Sequence, residues 1–214
     1  MRSAFIAFEG GEGAGKSTQV VRLAEHLRGL GHDVVVTHEP GDTRIGPQVR
    51  RILLDPATAG LSPRAEALLY AADRAEHVDA LIRPALAAGR VVVTDRYVDS
   101  SLAYQGAARP LEQDEVAWVN RWATGGLLPD LTVLLDVDPV EGLRRASDEP
   151  DRLEAEPHAF HQAVRAAFLE LAGREPGRYL VVDATADPDT VAAEVAERVD
   201  LLLAGAAGPA EARP

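Results

Sequence analysis

The 214-residue sequence contains no cysteine, and this absence excludes several kinds of chemistry at once. Without thiols the chain cannot form disulfides, use a cysteine nucleophile or bind zinc through cysteine. Its six histidines are scattered and show no spacing typical of a metal site. No apolar run is long enough to span a membrane, and the N-terminus lacks the features of a signal peptide. We therefore expect a cytoplasmic protein without a membrane partner.

Lysine is almost as scarce as cysteine. Of the 22 basic residues only Lys16 is a lysine, and 34 acidic residues bring the formal net charge to −12. Such a balance argues against binding of nucleic acid or of an acidic membrane surface, because both need a positive field. It does not exclude a pocket for one small anion, since local charges govern a pocket.

Short apolar runs alternate with helical stripes along the chain. Strands are predicted at residues 4–8, 34–37, 91–94, 131–135 and 179–182, with helices between and after them. Nearly all-apolar strands separated by helices indicate an α/β fold, in which helices cover both faces of a five-stranded parallel sheet. We expect a single three-layer domain over residues 1–204 with a polar lid at about 147–157. A disordered tail is predicted at 205–214.

The clearest motif is GGEGAGKS at residues 10–17, which matches the phosphate-loop pattern G-x-x-x-x-G-K-[ST]. Its glycines let backbone N–H groups surround a phosphate, and the following helix directs its positive end at the same anion. Lys16 is expected to reach the β- and γ-phosphates, and the Ser17 hydroxyl to bind Mg²⁺. The predicted ATP-binding residues are Gly10, Gly11, Glu12, Gly13, Ala14, Gly15, Lys16, Ser17 and Thr18.

Missing motifs narrow the class of nucleotide-binding protein. The chain has one asparagine and one lysine, far apart, so it lacks the N-K-x-D segment with which GTPases read guanine. The L-S-G-G-Q signature of transporter ATPases is also absent. Small-molecule kinases, which bind a phosphoryl acceptor at a second site, remain.

Candidate acceptor-site residues follow the predicted strands, whose carboxyl ends should meet at one edge of the sheet. Arg96 follows the third strand, where it could bridge donor and acceptor phosphates or form a structural ion pair. Tyr70 and Arg74 are four residues apart on one helix face. Such a pair suits a base and its phosphate, but it also occurs as a packed ring beside a surface charge.

Five ordered blocks resemble the bacterial thymidylate kinases, a family of P-loop nucleoside monophosphate kinases. They are FEGGEGAGKST at 8–18, EPG at 39–41, LLYAADRAEHV at 68–78, DRYVDSSLAYQG at 95–106 and DRLEAE at 151–156. The resemblance implies transfer of the γ-phosphoryl group of ATP to dTMP in dTTP biosynthesis, with Mg²⁺ as cofactor. It also implies a homodimer.

The resemblance assigns roles by position. It implies that Lys16, Arg96, Asp95 and Arg152 are catalytic, with Asp95 joining Ser17 at the metal and Arg152 lying in the lid. The implied dTMP-binding residues are Glu12 at the 3′-hydroxyl, Tyr70 on the base, Tyr104 beside the sugar 2′ position, and Arg50, Arg74, Arg96, Ser100, Ser101 and Gln105.

The sequence departs from the family pattern at Asp42, at the hydroxyl of Tyr70, and in a short acidic lid. Two other functions stay open at this point. A deoxynucleoside kinase would need a base for a neutral hydroxyl, and a nucleotide-regulated switch would need no acceptor site. The set of Arg50, Arg74 and Arg96 favours an acceptor that already carries a phosphate.

Overall fold

The computed structural model describes residues 2–146 and 150–205. Its centre is a five-stranded sheet in the order β2-β3-β1-β4-β5, and every neighbouring pair is parallel. The strands are β1 (Ala4–Glu9), β2 (Val34–His38), β3 (Val91–Asp95), β4 (Leu131–Asp136) and β5 (Tyr179–Asp183). The predicted fold class, a five-stranded parallel sheet flanked by helices, is confirmed.

Helices connect the strands and cover the sheet. They are α1 (Lys16–Gly29), α2 (Gly46–Leu54), α3 (Pro63–His77), α4 (Arg83–Ala87), α5 (Val98–Ser101), α6 (Gln113–Thr124), α7 (Pro139–Arg145), α8 (His158–Arg174) and α9 (Pro188–Leu203). Two π-helical segments, Val78–Ile82 and Leu102–Ala107, continue α3 and α5. The sequence predicts no helix at residues 98–107, because so short a helix shows no recurring apolar stripe.

Strand β1 lies in the middle of the sheet, and its side chains alternate between two cores. Ile6 and Phe8 belong to the core that contains Leu23 and Leu27 of α1. Phe5 belongs to the core on the other face of the sheet. Because a central parallel strand is covered on both sides, every position of β1 is buried, which explains its apolar sequence from Ala4 to Phe8.

A third apolar cluster includes Leu134 of β4 and Tyr179 of β5 and joins the 102–107 segment to α8. The ring of Tyr104 makes edge-to-face contacts with Phe160 and Phe168, at centroid distances of 6.0 and 6.1 Å. Leu153 belongs to the same cluster. This packing positions the end of the 95–106 block over the carboxyl edge of the sheet.

Strands β2 and β3 lie on one side of β1, and β4 and β5 lie on the other, so the strand order reverses at β1. Ligands of open α/β sheets bind at such a switch point, beyond the carboxyl ends of the strands. The phosphate loop leaves β1 there and packs directly on α7. A Cβ at Gly13 would lie 1.9 Å from the Gly142 carbonyl oxygen, and a Cβ at Gly142 would lie 2.3 Å from the Glu12 carbonyl oxygen.

Two predicted segments fall partly beyond this description. Residues 147–149 of the predicted lid and residues 206–214 of the predicted tail lie outside the described residues. The single domain and the lid stay predictions. Within the described ranges, no helix is both long and apolar enough to cross a membrane.

Candidate active site

A cleft of about 630 Å³ opens at the carboxyl edge of the sheet, next to the phosphate loop. All but three of the predicted site residues line it. The lining residues among them are Glu12, Gly13, Ala14, Gly15, Lys16, Ser17, Thr18, Arg50, Tyr70, Arg74, Asp95, Arg96, Ser100, Ser101, Tyr104 and Gln105. The cleft therefore brings most of the predicted donor and acceptor residues together.

The Lys16 ammonium lies inside the phosphate loop. Its Nζ donates hydrogen bonds to the carbonyl oxygens of Gly10, at 3.2 Å, and of Gly11, at 2.7 Å. Burial and the nearby Arg96 lower the pKa of Lys16, while Glu12 and Asp95 oppose that shift. The loop thus holds a cation and the N-terminus of α1 at one place, which is the arrangement that binds phosphates.

The two predicted metal ligands are in direct contact. The Ser17 hydroxyl donates a hydrogen bond to Asp95 Oδ2 over 2.6 Å. In the part of the chain that the structure describes, no group of three or more His, Cys, Asp or Glu side chains could hold a metal ion. A hydroxyl and a single carboxylate suit Mg²⁺, which commonly completes its coordination with water and phosphate oxygens.

Glu12 is the centre of a compact cluster between the phosphate loop and the 95–106 block. Its Oε1 accepts hydrogen bonds from Arg96 Nη2, at 2.9 Å, and from the Tyr104 hydroxyl, at 2.6 Å. The Arg96 guanidinium also lies over the Tyr104 ring, 5.1 Å from its centroid. Burial would raise the pKa of Glu12, but the charges of Arg96 and Lys16 bring it down to about 2. Glu12 is therefore an ionised acceptor at neutral pH.

Arg96 adopts a backbone conformation that is unusual for a residue with a side chain. Its φ is +70°, a left-handed conformation that costs about 1–2 kcal/mol for such residues. Its Nη1 donates to the Gly10 carbonyl oxygen, at 3.1 Å, and to Ser100 Oγ, at 3.2 Å. One guanidinium thus links the phosphate loop to the acceptor side of the cleft.

Comparison with known proteins identifies the family. The family model described as thymidylate kinase matches residues 8–195.

The chain belongs to the thymidylate kinase family.

Its similarity to individual family members extends over almost the whole chain. A thymidylate kinase of Clavibacter sepedonicus is 52% identical over 210 residues, which are 97% of this chain and 99% of that protein. A thymidylate kinase of Deinococcus radiodurans is 52% identical over 193 residues, which are 89% and 93% of the two chains. The crystal structure of a thymidylate kinase from Ehrlichia chaffeensis superposes with a TM-score of 0.76 at 32% identity. That superposition covers 93% of this chain and 99% of the other.

Arg74, which the thymidylate kinase resemblance places beside dTMP, is almost completely buried in the cleft wall. Its Nε donates to Glu39 Oε2 over 2.7 Å, and its Nη2 donates to the Tyr97 carbonyl oxygen over 2.8 Å. Its Nη1 donates to Ser101 Oγ, at 2.8 Å, and to Asn120 Oδ1. Every guanidinium nitrogen of Arg74 therefore has a protein partner, and the side chain links the segments that form the cleft wall.

Arg50 and Tyr70 are two further residues predicted to bind dTMP. The Nη1 of Arg50 donates to the Pro40 carbonyl oxygen over 2.8 Å. The ring of Tyr70 is buried, and burial together with the charge of Glu66 raises the pKa of its hydroxyl above the usual range. Both side chains line the cleft, where the resemblance places the acceptor phosphate and the thymine base.

Arg152 is not among the residues that line the cleft, although its neighbours Asp151 and Leu153 are. Its Nε donates to the Leu53 carbonyl oxygen over 2.7 Å, and its Nη1 donates to Glu66 Oε2 over 2.6 Å. Glu66 is itself buried and also accepts hydrogen bonds from Arg109 and Gln105. The structure thus places Arg152 in a buried ionic cluster with Glu66, and its catalytic role stays a prediction.

Sequence reasoning missed Glu9, the last residue of β1. Its Oε1 accepts hydrogen bonds from the backbone N–H groups of Tyr97, at 2.8 Å, and Ser100, at 3.1 Å. Its Oε2 accepts one from the Ser100 hydroxyl at 2.6 Å. Burial, with a smaller contribution from Asp99, raises the pKa of Glu9 to about 7. The only signal in the sequence is an acidic residue at the end of a buried apolar strand.

Proposed function

We propose that this cleft binds ATP and dTMP side by side and that its residues align them for direct phosphoryl transfer. As a member of the thymidylate kinase family, the chain is an ATP-dependent dTMP kinase. The observation that carries the residue-level proposal is the position of Arg96. Its guanidinium contacts a carbonyl of the phosphate loop and the Glu12 carboxylate, so it can reach phosphates on both sides.

The donor half consists of the phosphate loop and the start of α1. Its backbone N–H groups and Lys16 bind the β- and γ-phosphates of ATP, and Lys16 leaves its two carbonyl partners to do so. Ser17 and Asp95 would hold Mg²⁺ through their hydroxyl and carboxylate oxygens. When bound, the metal neutralises charge on the β- and γ-phosphate oxygens.

The acceptor half needs no general base. The attacking atom of dTMP is an oxygen of an anionic phosphate, so alignment and charge stabilisation carry the catalysis. Arg96 and Arg50 hold the acceptor phosphate. The ionised Glu12 accepts a hydrogen bond from the sugar 3′-hydroxyl, and Tyr104 occupies the space that a ribose 2′-hydroxyl would need.

A coupled assay of ADP release tests the proposal with three acceptors: dTMP, thymidine and none. We expect ADP to be released from ATP when dTMP is the acceptor, but not with thymidine or without an acceptor. We also expect Lys16→Ala or Arg96→Ala to lower kcat/KM about 100-fold or more. Arg174→Ala is a matched control, because Arg174 pairs with Glu170 on the exposed surface of α8 and should retain full activity. Near-normal rates in Arg96→Ala would contradict the role of that residue.

We also propose that two copies of the chain associate through the outer faces of α3 and α6. Trp118 and Trp122 of α6 are 65% and 74% exposed, and Leu68 of α3, which is 57% exposed, lines a groove together with Trp118. A large apolar face of this kind favours association, and tryptophan is enriched at interfaces. Light scattering should give the mass of a dimer, Trp122→Glu should give a monomer, and Leu201→Glu, on the exposed face of α9, should stay dimeric.

The predicted cytoplasmic location belongs with these proposals. Its basis is the lack of cysteine in the sequence, which is typical of proteins of a reducing compartment. Fractionation of cells that express the tagged protein tests it, and recovery in the membrane fraction would contradict it.

A further inference from the structure

A continuous chain of hydrogen bonds runs from Glu9, below the cleft, to Arg96 within it. Glu9 is fully buried and does not line the cleft. Its Oε2 lies 2.6 Å from Ser100 Oγ, and Ser100 Oγ lies 3.2 Å from Arg96 Nη1. Ser100 is therefore in contact with a buried anion on one side and with the cation of the cleft on the other.

The direction of these hydrogen bonds follows from the groups involved. An ionised carboxylate only accepts, and a guanidinium only donates. When Glu9 is ionised, the single proton of the Ser100 hydroxyl therefore points to Glu9, and a lone pair of the same oxygen faces Arg96. Glu9 sets the polarity of Ser100 and makes it an acceptor for Arg96.

The backbone contacts of Glu9 act on the same segment. Its Oε1 binds the N–H groups of Tyr97 and Ser100, so one carboxylate holds the first turn that follows Arg96. Arg96 itself has a φ of +70°, a conformation that persists only when its surroundings impose it. The residue before this turn and the turn itself are thus tied to the end of β1.

We infer that Glu9 is a positioning residue for phosphoryl transfer, which acts through Ser100 and the 97–100 backbone to hold the Arg96 guanidinium in place. This inference rests on the role proposed for Arg96 at the acceptor phosphate. Glu9 does not itself line the cleft, and it reaches the Arg96 guanidinium through Ser100.

Glu9→Gln tests the inference with almost no change in shape. An amide cannot serve all three donors. Either its nitrogen faces the two backbone N–H groups, or it faces the Ser100 hydroxyl and forces that proton toward Arg96. In either orientation the variant loses hydrogen bonds that the charged carboxylate accepts, and Arg96 is held less firmly. We therefore expect kcat to fall about 10-fold or more. KM for ATP should not change, because the phosphate loop keeps its contacts.

Ser100→Ala breaks the same chain at its middle. We expect it to lower kcat as Glu9→Gln does, and the double variant to be no slower than either single variant. Additive losses, or a wild-type kcat in either single variant, would overturn the inference. If Glu9→Gln does not fold, Glu9→Asp replaces it: this variant keeps the charge but shortens the reach to Ser100 Oγ, so it should lower kcat at constant KM for ATP, and a wild-type kcat would overturn the inference.

Asp130→Asn is the matched structural control. Asp130 Oδ2 accepts a backbone hydrogen bond from Phe5 over 2.8 Å, at the opposite end of β1 from the cleft. This variant should lose thermal stability and keep its kcat, which separates positioning from general support of the strand. Equal losses of kcat in Asp130→Asn and Glu9→Gln would overturn the inference.

Arg96→Ala, measured in the same assay, separates the role proposed for Arg96 from the inference about Glu9. If Arg96→Ala keeps its activity, the role proposed for Arg96 is wrong. If Arg96→Ala is inactive while Glu9→Gln and Ser100→Ala match the wild type, only the inference about Glu9 is wrong.

Discussion

Replacement of Gly142 by alanine adds one methyl group where α7 touches the phosphate loop. A Cβ built at this position lies 2.3 Å from the Glu12 carbonyl oxygen and 3.3 Å from a methyl group of Val137. The closer atom belongs to the backbone, so no side-chain rotation relieves the contact. Helix propensity alone would favour alanine by about 0.5–1 kcal/mol.

The geometry sets the size of the expected effect. Carbon and oxygen atoms approach to about 3.3 Å in favourable contacts, so α7 and the loop must separate by roughly 1 Å. A displacement of this size in a catalytic group costs about 100-fold in rate. We therefore expect kcat/KM for ATP to fall about 100-fold in Gly142→Ala, although the fold is retained.

Gly173→Ala provides the matched control. Gly173 lies in the last turn of α8, is exposed, and would place its Cβ in open space. This variant should keep full activity and gain about 0.5–1 kcal/mol in the free energy of unfolding. The assay is ADP release at varied ATP concentration, together with urea unfolding of both variants. Wild-type kinetics in Gly142→Ala would refute the argument that contact with α7 sets the position of the loop.

Three further predictions concern the side chains around the cleft. Glu66→Ala leaves Arg152 buried without its carboxylate, so thermal unfolding should show a loss of about 3–5 kcal/mol. Ionised Glu12, with its pKa near 2, adds stability that is complete above about pH 4.5 and is lost as the pH falls toward 2. Urea unfolding should therefore show Glu12→Gln less stable by about 3 kcal/mol at pH 7, with this difference vanishing near pH 2. Tyr104→Phe should narrow the preference for dTMP over its ribose analogue about tenfold, measured by competing substrates; an unchanged preference would contradict the role of its hydroxyl.

Much of the cleft was predictable because its residues follow strands that the sequence marks clearly. The phosphate loop has a defined spacing, and Asp95 follows a β-branched run that reads as a buried strand. Parallel strands end at one edge, so the meeting of Ser17 with Asp95 follows from their positions. The 2.6 Å contact between them agrees with that expectation.

Other residues were not predictable, because their environment comes from distant parts of the chain. Arg152 is paired with Glu66, 86 positions earlier, and not with the phosphate loop. Arg74 has its four partners on three separate segments, among them those of Glu39 and Asn120. Spacing along a helix identifies the face on which a side chain lies, but it does not identify the groups that this face meets.

The sequence by itself determined the class of the fold, the phosphate loop and the position of its single lysine. These depend on local patterns: apolar runs, a glycine spacing, and one ammonium beside that loop. Only the tertiary structure decided which charged side chains face the cleft and which are paired with other protein groups inside its walls. The physical reason is that burial and pairing depend on contacts between elements that are remote in sequence. Such contacts pair Glu9 with the 95–106 block and Glu66 with Arg152.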